Sequence, residues 1–127
     1  MKLSLSGRVE AGEGMATHLG CPTANIAIEQ GGLIPALGVY LGESLVEGRR
    51  YDSLICISDG RTGNNLKMEV HLLGVDENLL DKHIEVVLFE RLRDVIPFPG
   101  EEEMTLMIAK DLEKAREWSA SRTDKTV

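Results

Sequence analysis

Aromatic residues are nearly missing from this chain: one Trp, two Tyr and two Phe make up 4% of its 127 residues. Any core must therefore be built from Leu, Ile, Val, Met and Ala. Cysteine is scarcer still. Cys21 and Cys56 lie far apart and outside any CxxC spacing, so they can form one disulfide or stand as two buried thiols. The thiols are the expectation for a chain without a secretory signal. Long hydrophobic runs are absent too, and none approaches the ~20 residues of a membrane span. The start, Lys2-Leu3-Ser4-Leu5-Ser6, alternates and lacks the apolar stretch of a signal peptide. Cytoplasmic residence with no membrane partner is the expected default. Positive charge is in deficit, with 14 Lys and Arg against 21 Asp and Glu and a formal net charge of -7. Such a surface is repelled by nucleic-acid backbones, so no nucleic-acid partner is expected.

What is present reads as one domain, residues 1–118, followed by a polar tail, 119–127. Leu3, Leu5 and Val9 alternate with polar residues, the pattern of a half-buried strand. Gly7, Gly12, Gly14 and Gly20 then crowd a short stretch that suits a loop and not a helix. Ala24–Ile28 resumes as a strand after Pro22. Further strands are expected at Val39-Tyr40-Leu41 with Ser44-Leu45-Val46, at Tyr51–Ser58, at Leu66–Leu73 and at His83–Arg91. In the fifth of these six strands Met68, Val70 and Leu72 share one face, and Glu69 and His71 share the other. In the sixth, apolar residues occupy both faces, so its outside needs a cover. Residues 101–118 supply one: Met104, Met107, Ile108, Leu112, Ala115 and Trp118 recur at helical spacing. Glu101, Glu102 and Glu103 suit the first turn of that helix, where negative charge meets its dipole.

Short strands joined by turns, with one terminal helix, exclude a parallel sheet, which needs a crossover helix after each strand. A closed antiparallel barrel, which removes exposed edges, is the predicted architecture.

Several residues can carry chemistry. Gly12-Glu13-Gly14 can bring backbone N–H groups to a phosphate, although an ordinary surface loop has the same composition. It is neither a Walker A loop nor a dinucleotide fingerprint. Thr23 and Asn25 are two apart in an extended segment, so their oxygens can lie on one side as hard ligands for Mg²⁺. A turn-to-strand junction with local caps fits that spacing as well. Glu69 is a carboxylate between apolar neighbours, a setting that suits a general base; a solvated outward glutamate is the alternative. A bound divalent metal would let so acidic a chain accept an anionic nucleotide.

These pieces stand in a familiar order. Gly7-x-Val9, Gly12, Leu19-Gly20-x-Pro22-Thr23-Ala24-Asn25-Ile26, Pro35-Ala36-x-Gly38-Val39-Tyr40 and Glu69-Val70-His71-Leu72-Leu73 follow one another, then Arg91-Leu92-Arg93, Phe98 and a Glu-rich helix containing Asp111. The pattern resembles the riboflavin kinase (flavokinase) family from about Gly7 to Trp118. The resemblance implies a six-stranded Greek-key β-barrel plus a C-terminal helix. Its activity would be transfer of the ATP γ-phosphate to the 5′-hydroxyl of riboflavin, giving FMN, with Mg²⁺ as cofactor. It assigns Glu69 as the base and Gly12, Thr17, Thr23, Asn25 and Leu72 to ATP. Thr23 and Asn25 would also hold the metal, and Arg93 and Phe98 would bind the flavin.

Riboflavin and ATP are then the small-molecule partners of an expected monomer. The chain departs from the family pattern at Glu13, Ala16 and Thr17, where basic residues are usual. Other departures are Asp59-Gly60-Arg61-Thr62-Gly63, Leu80-Asp81 (usually Tyr-Gly) and Val95. These motivate an alternative, a non-catalytic flavin- or nucleotide-binding barrel. The stretch shows no HxGH-type motif, so FAD synthesis is not expected of it.

Overall fold

Glu47 and Gly48 both adopt positive φ (51° and 80°), the two-residue turn whose twist matches that of flanking strands. It joins β3 (Gly38–Val46) to β4 (Arg49–Ser58) with Val46 opposite Arg49. The other strands are β1 (Leu3–Glu10), β2 (Ala24–Ile28), β5 (Lys67–Leu72) and β6 (His83–Arg93), and the helix is α1 (Glu101–Thr123). This computed structural model describes residues 3–10, 24–28, 35–58, 67–75, 79–96 and 99–123. Among the described residues no helix is long and apolar enough to cross a membrane.

The strands close into a barrel in the order β1-β2-β5-β4-β3-β6, and every neighbouring pair is antiparallel. Strands β3, β4 and β5 follow one another, and β6 returns to lie beside β3. That is the Greek-key arrangement. Period-two alternation divides each strand between two environments. Leu5, Val9, Ile26, Ile55, Ile57, Met68, Val70, Ile84, Val86 and Leu88 fill the barrel interior. On the outside, Val39, Leu41 and Leu54 pack against Leu112 and Ala115 of α1, with Cys56, Leu92, Ile108 and Trp118 at the margins. Burying a leucine such as Leu112 stabilises this docking by about 2 kcal/mol.

Polar side chains enter the barrel interior as well. Ser44 and Ser53 are fully buried and share a 2.8 Å hydrogen bond, and Ser53 also donates to the Tyr51 carbonyl. At Gly42 the wall is pinched: a Cβ there would strike the Val87 carbonyl and stand 2.8 Å from Ile55 Cδ1. The β3–β6 register shifts beside this residue, between Leu41 and Gly42. A strand glycine at such a bend allows close backbone approach.

Two expectations need correction. β6 runs two residues past Arg91, through a second register shift. The helix extends to Thr123, so the segment expected as polar tail from 119 is helical for its first five residues. The cause lies in two polar side chains that the apolar stripe does not include. Ser119 Oγ donates to Asp52 at 2.6 Å, and the Arg122 guanidinium bonds Glu43 and Asp52. Arg122 also lies over the rings of Phe89 (4.5 Å) and Trp118 (4.4 Å), which meet edge to face. Phe89 on the outside of β6 thus receives the cover its apolar character requires.

Candidate active site

The parity of β2 is fixed by Ile26, which points into the barrel. Asn25 therefore faces outward. Met68 and Val70 fix β5 in the same way, so Glu69 faces outward as well. The two strands pair antiparallel with Asn25 directly opposite Glu69. Residues in that relation have Cβ atoms about 5 Å apart, within reach of a shared ligand.

The same row continues around the barrel. Glu69 stands opposite Cys56 of β4, Cys56 opposite Val39 of β3, and Val39 opposite Arg93 of β6. At about 4.8 Å per strand, Arg93 lies ~14 Å from Glu69 along the sheet. α1 covers the Cys56–Val39 part of this row. Asn25 and Glu69 are half-buried at its other end. His71 also faces outward, two residues along from Glu69 and opposite Leu54.

Arg93 is held firmly. Its Nε donates to both oxygens of Asp111 (2.9 and 3.1 Å), Nη2 donates to Asp111 Oδ2 (2.7 Å), and Nη1 to the Asp94 carbonyl (2.9 Å). The Asp111 hydrogen bonds are the main reason that the guanidinium's pKa is raised above its ordinary value; the nearby Cys56 adds a smaller effect. Arg91, two residues earlier, donates through Nη2 to the Leu37 carbonyl (2.7 Å) and to Asp94 Oδ1 (2.6 Å).

Of the residues named from sequence, Asn25 and Glu69 are brought together. Leu72 is not among them: its side chain is 4% exposed in the barrel interior, which leaves only its backbone for a nucleotide. Arg93 ends the row and clasps the helix. Gly12, Thr17, Thr23, Phe98 and Cys21 lie outside the described residues. Among the described residues no three His, Cys, Asp or Glu side chains form a group able to hold a metal. Sequence reasoning missed Asp111 as the partner of Arg93, and missed the Glu43–Asp52–Ser119–Arg122 cluster. The helical spacing 108, 111, 112, 115, 118, 119, 122 marks one face, and polar members of that face were the available signal.

The model of the flavokinase family (riboflavin kinase) matches residues 1–119. The chain belongs to the riboflavin kinase family. It is 35% identical over 118 residues to the bifunctional riboflavin kinase/FMN adenylyltransferase of Escherichia coli (strain K12), which covers 91% of this chain and 37% of that enzyme. The chain thus spans little more than a third of the length of the curated relatives it matches. Among solved structures, the riboflavin kinase from Trypanosoma brucei superposes with a TM-score of 0.65 at 22% identity, over 92% of this chain and 79% of its own. A Streptococcus pneumoniae chain named as a macrolide-efflux protein superposes with a TM-score of 0.83, also at 22% identity, over 91% of this chain and 38% of its own. At that identity both likenesses concern the fold. The barrel with its terminal helix is therefore a riboflavin kinase fold.

Proposed function

We propose that this chain catalyses transfer of the γ-phosphate of ATP to the 5′-hydroxyl of riboflavin, giving FMN and ADP. The observation that carries this reading is the direct opposition of Asn25 and Glu69 on the outer wall of a riboflavin kinase family barrel. Phosphoryl transfer depends on alignment and charge neutralisation more than on covalent chemistry, and a rigid sheet supplies alignment. Glu69 would accept the hydroxyl proton as the oxygen attacks the γ-phosphorus. Asn25, with Thr23, would bind the metal and phosphate side. The half-burial of Glu69 limits competition from bulk water.

The donor set fits Mg²⁺ brought in by the nucleotide. Asn25 offers a neutral hard oxygen opposite one carboxylate, the Thr23 hydroxyl would add another, and Mg²⁺ commonly takes most of its ligands from phosphates and water. Bound there, the ion would neutralise charge on the β- and γ-phosphates. That matters in a chain with net charge -7. The small-molecule partners would be riboflavin and ATP, with a monomer in the cytoplasm as the simplest state.

Purified protein incubated with riboflavin, ATP and Mg²⁺ is expected to yield FMN, read by chromatography. Glu69→Gln removes the proton acceptor while keeping size and hydrogen-bonding reach. It should lower kcat by about 10²–10⁴-fold with riboflavin binding retained. Full turnover by Glu69→Gln would refute the role of this carboxylate. Riboflavin binding without FMN formation by the unaltered chain would favour the non-catalytic barrel.

A further inference from the structure

The reaction assigned to Glu69 leaves one buried charge without a purpose. Asp111, 5% exposed, is the buried charged residue among those described, and it is clasped by Arg93. Burying an ion pair is rarely the most stable way to fill such a space, since apolar residues of similar volume often do as well or better. What a two-pronged guanidinium–carboxylate contact does supply is fixed geometry.

The helix is also held on the barrel by contacts other than this pair. Leu112 and Ala115 dock α1 on Val39, Leu41 and Leu54, and Ser119 and Arg122 fasten its far end. Arg93 meets the middle of the helix, beside Leu112, and it grips two things together: the Asp111 carboxylate and the Asp94 carbonyl. Arg91 grips the same Asp94 by its side chain and ties it to the Leu37 carbonyl. Asp94 roots the segment that leads to α1, and that root is therefore fixed from two sides. The segments so tethered expose large apolar side chains, Leu37 (39%) and Ile96 (40%), which an apolar ring system could cover. Arg93 also stands on the Glu69 row, with only Val39 and Cys56 between them, and both intervening residues lie under the helix.

We propose that Arg93 is a positioning residue for the acceptor and not a group that touches it: by clasping Asp111 and the Asp94 carbonyl it sets the wall against which the flavin ring rests. The inference deepens the riboflavin kinase reading and rests on it for the identity of the ligand. A wall displaced by an ångström would hold the acceptor off line from Glu69 without disturbing the nucleotide side.

Asp111→Asn keeps the shape and removes the charge. Riboflavin affinity is read by quenching of flavin fluorescence with ADP and Mg²⁺ present, so that no turnover is required. The variant should bind riboflavin roughly tenfold more weakly, and the KM for ATP should stay within about twofold. Trp118, the single tryptophan, reports helix docking, and its emission should not change. Arg93→Lys keeps the charge and loses the fork. It should weaken riboflavin in the same direction, and it serves if Asp111→Asn fails to fold. Arg122→Ala loosens the helix end, and it should shift Trp118 emission while leaving riboflavin affinity within about twofold.

Unchanged riboflavin affinity in folded Asp111→Asn or Arg93→Lys would overturn the proposal. So would an equal loss in Arg122→Ala, which would reduce the pair to ordinary helix docking. If the unaltered chain binds riboflavin yet makes no FMN, the kinase reading fails, and the positioning role stands where both variants still weaken riboflavin. If FMN forms but the variants bind riboflavin normally, only the positioning role fails.

Discussion

One wall of this barrel is used in two opposite ways. Over β3 and β4 the outward residues Val39, Leu41 and Leu54 are apolar and lie under α1. Over β2 and β5 the outward residues Asn25, Glu69 and His71 are polar, and all three are half-buried. The two surfaces are continuous, because Glu69 and Cys56 are cross-strand neighbours. A single strand spacing separates a surface devoted to docking from one available for chemistry. The barrel interior already supplies the main core, so the polar strands need not bury their outer faces. The helix in turn gives the polar side a rigid neighbour.

The largest test of this division is Glu69→Gln, which should cost turnover by orders of magnitude yet leave stability within about 0.5 kcal/mol, since the residue contributes to neither core. The reverse pattern is expected across the boundary. Leu112→Ala removes an 8% exposed side chain from the helix–barrel contact and should cost about 2–3 kcal/mol, read as a lower urea midpoint. If Leu112→Ala unfolded no more readily than the parent, the helix would be an appendage and not part of the domain.

Much of this arrangement was legible because alternation is a local property. Met68, Val70 and Leu72 against Glu69 and His71 define the two faces of β5 without any knowledge of its neighbours, and the helical stripe from Met104 to Trp118 identifies the cover. Register between distant strands is different. That Asn25 lies opposite Glu69 follows from closure of the whole barrel, and only the family pattern pointed to it from sequence. Ion-pair partners were the least legible. Arg122 finds Asp52 and Glu43 from 70 and 79 residues away, and Arg93 finds Asp111 from 18 away. No periodicity encodes such pairings, so a segment with polar residues read as tail when it was the end of a docked helix.

Arg122 gives a test of intermediate size. Glu43 and Asp52 are directly opposed on β3 and β4, and two carboxylates so placed repel. Arg122 bonds both, with its own side chain 24% exposed. Arg122→Ala leaves the two acids facing each other beside the bared rings of Phe89 and Trp118. A loss of about 1–2 kcal/mol is expected, smaller at high salt, where screening weakens the repulsion. A loss independent of salt would mean that ring stacking, and not charge, fastens the helix end.

The smallest effect should come from the seam where the barrel closes, remote in role from both surfaces. Asp81 has φ of 68°, in the left-handed region that a side chain with a Cβ enters at some cost. It is kept there because its N–H donates to the Val9 carbonyl (2.9 Å) while Val9 N–H donates to the Lys82 carbonyl (2.9 Å), which ties β1 to the entry of β6. The riboflavin kinase pattern usually has glycine at this position. Asp81→Gly relieves the strain but adds freedom to the unfolded chain, and aspartate tolerates this region better than most residues. The net result should be a gain of about 0.5 kcal/mol in unfolding free energy, with turnover and Trp118 emission unchanged. A destabilised Asp81→Gly would show that the Asp81 side chain itself holds the seam, and that the departure from glycine is a structural addition and not a tolerated strain.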